Sequence, residues 1–161
     1  MKTQIRLNLK TIVRIVRLFR LPNVLDGGIK VEMFDQGYMN TVFKLTSGTN
    51  QYVLCFFNPN RYNDFSSKIT IESIHKAVIF LEENNIPVRV PYSTLRGDTV
   101  LVLDRDNLSE VSDIETCKFP IRLVSLFRFL KGNTIPWKAY TRRHIYSVGK
   151  TQYILICTIS K

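Results

Sequence analysis

The sequence predicts an α+β fold: a five-stranded antiparallel sheet with one main helix, flanked by an N-terminal helix and a C-terminal linker helix. Three observations carry this. Three runs of β patterning, separated by turn clusters, occupy residues 29–57. A single stretch of helical periodicity follows at Ile71–Leu81, and β patterning then returns between Thr99 and Leu130. The expected division is a basic amphipathic segment at 1–25, a central domain at 26–135 and a linker at 136–161.

The first element is a helix over residues 2–20. Lys10, Arg14 and Arg17, with Arg6 and Arg20, form one basic stripe opposite Ile5, Ile12, Val16 and Phe19. Pro22 ends it, helped by the extended bias it places on Leu21. Such a helix either lies on an anionic membrane or RNA, or packs its apolar face on the domain behind it; the second is the expectation.

Beyond the Asp26-Gly27-Gly28 turn, Ile29, Val31 and Met33 alternate with Lys30 and Glu32 as in a half-buried strand. The run Gln36 to Asn40 interrupts, Thr41 to Thr46 resumes the alternation, and Ser47-Gly48-Thr49-Asn50 is a hairpin turn. Tyr52 to Phe57 reads as a strand covered on both faces. After a polar loop, Ile71, Ile74, Ala77, Val78 and Leu81 mark the buried stripe of the main helix, which Asn84, Asn85 and Pro87 stop. Ser93–Leu95 and Thr99–Leu103 form a hairpin around Arg96-Gly97-Asp98, and Ile121–Leu130 is the last strand after an acidic loop. With the short hairpin taken as one element, the order is β-β-β-α-β-β.

Composition is that of a globular domain, with 45% hydrophobic and 22% charged residues. No apolar run is long enough to span a bilayer, and Arg14, Arg17 and Arg20 break any signal-peptide core. Cys55, Cys117 and Cys157 show no CxxC spacing, so neither a disulfide framework nor a zinc site is indicated, and a cytoplasmic setting is expected. The net charge of +10 suggests nucleic acid at first sight. Yet all thirteen acids lie in residues 26–115 with only eight basic residues, while the two flanks carry no acid at all. The central domain is mildly acidic, and no specific nucleic-acid partner is expected.

The residues of this layout resemble a known family. Gly37-Tyr38-Met39-Asn40-Thr41-Val42-Phe43-Lys44-Leu45, followed by Gln51-Tyr52-Val53-Leu54, is similar to the opening of the aminoglycoside phosphotransferase and homoserine kinase superfamily. The segment Phe80 to Val88 resembles that family's helix and its Pro-containing exit, and Leu126 to Gly132 resembles its hinge strand. Trp137, Tyr140-Thr141 and His144 to Gly149 look like the start of the helix leading into a C-lobe. The resemblance runs from about Leu25 to Lys150. It implies a protein-kinase-like N-lobe that binds ATP, with magnesium in the intact enzyme, and helps transfer a phosphoryl group to a small-molecule hydroxyl.

On this resemblance Gly37, Tyr38 and Asn40 would border the phosphates, and Phe129 and Leu130 would line the adenine. A turn with Gly37 lets backbone N–H groups approach phosphate oxygens without a side chain in the way; taken alone it reads as an ordinary hairpin glycine, and within the whole pattern it reads as a phosphate loop. The family's third-strand cation aligns with Cys55, which carries no fixed charge. The helical Glu that pairs with that cation aligns with Ile74, with Glu72 half a turn away as the alternative.

Catalytic parts are missing from these 161 residues. Phosphoryl transfer needs a catalytic Asp, an Asn five residues on and a second, magnesium-binding Asp. No Asp or Glu follows Glu115, and neither His75 nor His144 is followed by x-Asp. The Leu103-Asp104-Arg105-Asp106-Asn107 run reads as a solvated turn, and both histidines as surface or packing residues. After Lys150 the family pattern gives way to a β-forming stretch, Thr151–Ser160, so a fragment or a lost reading frame is expected. The expected role is therefore a nucleotide-binding lobe that is inactive alone. A small-molecule hydroxyl substrate would enter only with a C-lobe, and the alternative is a binding module using its basic N-terminal helix.

Overall fold

The computed structural model describes residues 7–21, 28–34, 40–104, 121–131 and 141–142. The first element is helix α1, Leu9–Val16, capped by Asn8, whose Oδ1 accepts a hydrogen bond from the Thr11 amide at 2.9 Å. The helix is shorter than the sequence suggests. It closes at Arg17, and the chain then extends along the segment after the main helix instead of running on to Pro22. Arg20 donates its amide to the Ser93 carbonyl at 2.8 Å, Leu95 donates to the Leu18 carbonyl at 2.8 Å, and Phe19 bridges to Thr94. Arg20 is thus outside the helix, and its guanidinium donates to the Leu95 carbonyl at 2.9 Å.

Five strands follow: β1 Lys30–Phe34, β2 Thr41–Ser47, β3 Asn50–Phe56, β4 Leu101–Asp104 and β5 Ile121–Arg128. They form one antiparallel sheet in the order β1-β2-β3-β5-β4. The two-residue connection Gly48-Thr49 joins β2 to β3, with Gly48 at φ +56°. This is the α+β layout expected from the sequence. Of the short hairpin's two arms only the second is a strand. Ser93–Leu95 pairs with residues 18–20, and Val90 to Tyr92 lies along the end of β5 through Arg128 N to Val90 O (3.1 Å) and Tyr92 N to Leu126 O (2.7 Å). Backbone partners supplied from afar decide this; local alternation carries no record of them.

Pleating divides the sheet into two faces. Phe43, Leu45, Tyr52, Leu54, Phe56, Val124 and Leu126 pack with Ile12, Ile15, Val16 and Phe19, so α1 closes one face and is part of the main core. The packing alternative for this helix therefore holds. β3 is covered on both sides, as its unbroken apolar run implies: Tyr52 through Phe56 are all buried. The edge strand β1 is the exception. Met33 is 43% exposed, against the half-buried pattern expected, because β1 has a neighbour on one side only.

The main helix α2, Phe65–Glu83, starts at Asp64. The Asp64 carboxylate accepts from the Ser67 hydroxyl (2.6 Å) and amide (2.8 Å), and these bonds hold its pKa below the ordinary carboxylate value. The helix ends in a Schellman turn. Asn85 adopts φ 62°, its amide bonds the Glu82 carbonyl at 2.9 Å, and that of buried Ile86 bonds the Leu81 carbonyl at 3.0 Å. The buried stripe differs from the one expected. Ile71 and His75 face the sheet, whereas Ile74 is 57% exposed. Phe65, Ile69 and Phe80 are exposed too, so apolar residues surround α2 and periodicity alone does not fix its rotation.

Candidate functional site

The sheet face opposite α1 has two halves. α2 covers one, where Ile71 packs with Val100, Ile121 and Leu123. The other half carries Val53, Cys55 and Phe127, with Val42, Phe57 and Phe129 around them. Strand register sets its rows. Val42, Cys55 and Ser125 lie side by side, as do Glu32, Lys44, Val53, Phe127 and Pro91. Continuing the pairing of residues 90–92 places Arg89 opposite Phe129.

Two cations sit on rings of this half. The Arg89 guanidinium carbon lies 4.4 Å from the Phe127 ring centroid, and Lys44 Nζ lies 4.9 Å from that of Phe129. His75 meets Phe127 edge-on, the ring centroids 5.3 Å apart, and its Nδ1 lies 2.8 Å from the Thr99 hydroxyl. Burial, with the Arg89 charge adding to it, lowers the His75 pKa to about 4. His75 is therefore neutral at ordinary pH and packs, as the sequence suggested.

Each sequence-derived site residue has a distinct fate. Asn40 stands at the entry to β2, where its Oδ1 accepts from the Asn58 amide at 3.1 Å. Cys55 is buried on this face. Burial pushes its thiol up to about 11, against smaller opposing effects of Arg89 and a hydrogen bond with Asn40. It is a neutral thiol there, and Asn40 and Cys55 are brought together. Glu72 turns to its own helix: its Oε1 lies 3.5 Å from Lys68 Nζ, which also reaches Asp98 at 3.2 Å. With an uncharged thiol on β3, Glu72 has no cation there to meet. Ile74 points to solvent and does not face the sheet. Phe129 follows the end of β5, donates its amide to the Gln51 carbonyl at 3.3 Å and packs on the face. Leu130 is 46% exposed beyond the strand. Gly37, Tyr38, Asp106, Asn107, Trp137 and the linker helix from His144 onward lie outside the described residues. Asp104 ends β4 opposite Ile121, so it belongs to the sheet and not to a turn.

Sequence reasoning gave no site role to Arg89 or Lys44. Lys44 was legible from the β2 alternation, which sets it apart from Phe43 and Leu45. Arg89 was not, because its place follows from the pairing of Pro91 with Phe127, residues far apart in the chain.

Among the described residues, no group of three or more His, Cys, Asp or Glu is placed to hold a metal ion, and no helix is long and apolar enough to cross a membrane. No protein-family model and no curated protein matches the chain. Among solved structures, the chain is similar to a "putative aminoglycoside phosphotransferase" from Ralstonia eutropha, with 17% sequence identity and a TM-score of 0.48. The match covers 81% of this chain and 30% of that one, so the chain spans under a third of that structure's length.

Proposed function

We propose that the half of this sheet face carrying Val53, Cys55 and Phe127 binds a nucleotide, as the ATP-binding lobe of a phosphotransferase acting on a small-molecule hydroxyl. One observation carries the reading: an apolar floor of Val42, Val53 and Cys55 adjoins two rings that carry cations, Phe129 under Lys44 and Phe127 under Arg89. A planar base suits the apolar floor and a polyanion suits the cations. The sequence resemblance between Leu25 and Lys150 and the β-β-β-α-β-β layout support the same reading. Asn40 and the turn before it would border the phosphates, and Phe129 would border the base.

The 161 residues contain no Asp or Glu after Glu115 and no His-x-Asp pair, so phosphoryl transfer is not assigned to them. Bound ATP would bring the transferable phosphoryl group, and magnesium would be held by its phosphates together with acids that these residues do not supply. What the chain's own residues contribute is binding: a dry floor, a hydrogen-bonding edge and positive charge.

Calorimetric titration of the 161-residue protein with ATP and with adenosine tests this reading. Saturable binding of both, without magnesium-dependent ATP consumption, is the expected result. No binding of either would overturn it. Steeply salt-dependent binding of RNA or anionic vesicles, abolished by R14E/R17E/R20E, would replace it with the basic-segment alternative. That alternative has less support, because Ile12, Ile15 and Val16 of α1 are already buried in the core.

A further inference from the structure

We propose that Arg89 is the anion-binding group of this face, its guanidinium receiving the phosphate groups of a nucleotide lodged beside Phe127. The inference rests on the nucleotide reading and deepens it, since that reading leaves open which residue carries the charge.

The floor itself supplies none. Val42 and Val53 are apolar, and Cys55 is a buried thiol whose pKa lies far above neutrality. Of the two cations on the face, Lys44 stands in register with Glu32, whose carboxylate it helps keep ionised. Neither Arg89 nor Lys44 has a carboxylate within ion-pairing distance among the described residues. Lys30, Lys68 and Arg128 do have one: Lys30 meets Glu32 at 2.7 Å, Lys68 meets Asp98 at 3.2 Å, and Arg128 meets Glu82 at 3.9 Å. Arg89 is nevertheless held beside two buried groups, His75 and Cys55, whose ionisation its charge influences. A charge so placed, and without a counterion there, favours an anion.

Its geometry suits phosphate. Its guanidinium carbon lies 4.4 Å from the Phe127 ring centroid, and a guanidinium can grip two phosphate oxygens at once. The residue is exposed, so a ligand reaches it. Its backbone is fixed from both sides. The Schellman turn with buried Ile86 precedes it, and the hydrogen bonds of Val90 and Tyr92 to β5 follow it. Little ordering is left to be done at binding, which favours affinity.

The test uses the full 161-residue protein, with ATP, adenosine and inorganic triphosphate as probes. In calorimetry, Arg89→Gln should weaken ATP about tenfold or more while changing adenosine by less than about twofold, a loss typical of a charged hydrogen-bonding group. Arg89→Lys should recover part of the ATP affinity, as a point charge without the fork. The exposed helix variant Arg17→Gln should change neither. A second measurement needs no variant: the Arg89 Nε–Hε resonance of the wild-type protein should shift with inorganic triphosphate and not with adenosine. If Arg89→Gln folds and keeps the wild-type ratio of ATP to adenosine affinity, or if triphosphate leaves the resonance unmoved, Arg89 is only a packing residue and the proposal falls. The nucleotide reading survives that result provided both ligands still bind. If the wild-type protein binds neither ligand, both fall together.

Discussion

His75 on α2 and Thr99 ahead of β4 are joined side chain to side chain, the imidazole Nδ1 lying 2.8 Å from the hydroxyl. Phe127 meets the same imidazole edge-on, and His75 is 4% exposed. A titratable group thereby fastens the main helix to the sheet in its neutral form.

Stability should therefore depend on pH. The folded His75 pKa is depressed to about 4, while the unfolded chain takes up a proton near the ordinary value of about 6.5. Between these values the unfolded state binds the extra proton, so stability falls as pH falls. Urea unfolding at about pH 7.5 and about pH 5 should show the loss, which approaches roughly 3 kcal/mol once pH reaches the folded value. A His75→Gln variant should lack this component, and an equal pH dependence in that variant would contradict the assignment.

Helix α1 should prove integral to the domain. Ile15→Ala removes a buried side chain between α1 and the sheet and should cost about 2–5 kcal/mol. Arg17→Glu, exposed on the same helix, should stay within about 0.5 kcal/mol. Equal effects in denaturant melts would mean that the helix does not pack as described.

Asn85 holds a left-handed conformation at φ 62° to close α2. Asn85→Ala should destabilise by about 1 kcal/mol, whereas Asn85→Gly should be neutral or slightly stabilising. Asn85→Gly proving more destabilising than Asn85→Ala, read by thermal unfolding, would refute the turn's role.

Cys55 should be inert in the folded protein. Burial blocks access, and a thiol pKa of about 11 leaves almost no thiolate near neutrality. In a Cys117→Ser/Cys157→Ser background, iodoacetamide at about pH 8 should modify it at least about a hundredfold more slowly than in concentrated guanidinium. Comparable rates would show the site to be open.

Regular sequence signals were legible where local chemistry is sufficient. The turn at Gly48, the covered strand Tyr52–Phe56 and the Asn84-Asn85 helix stop depend on neighbours in the chain, and all three stand where the residues indicate. The rotation of α2 was not legible, since Ile74 and Ile71 are equally apolar. It is set by His75, which finds Thr99 and Phe127 only once the sheet has formed. Likewise Ser93–Leu95 carries strand-like residues, but its backbone partners are residues 18–20, supplied by the chain leaving α1.

By itself, the sequence determined that this chain builds a five-stranded antiparallel sheet with one long helix. Alternation, turn chemistry and capping are short-range, so they are written into consecutive residues. Tertiary structure alone decided that Arg89 stands over Phe127 and that Pro91 lies beside Phe127. Those relationships depend on which strands become neighbours, and long-range pairing leaves no mark on the periodicity of either partner.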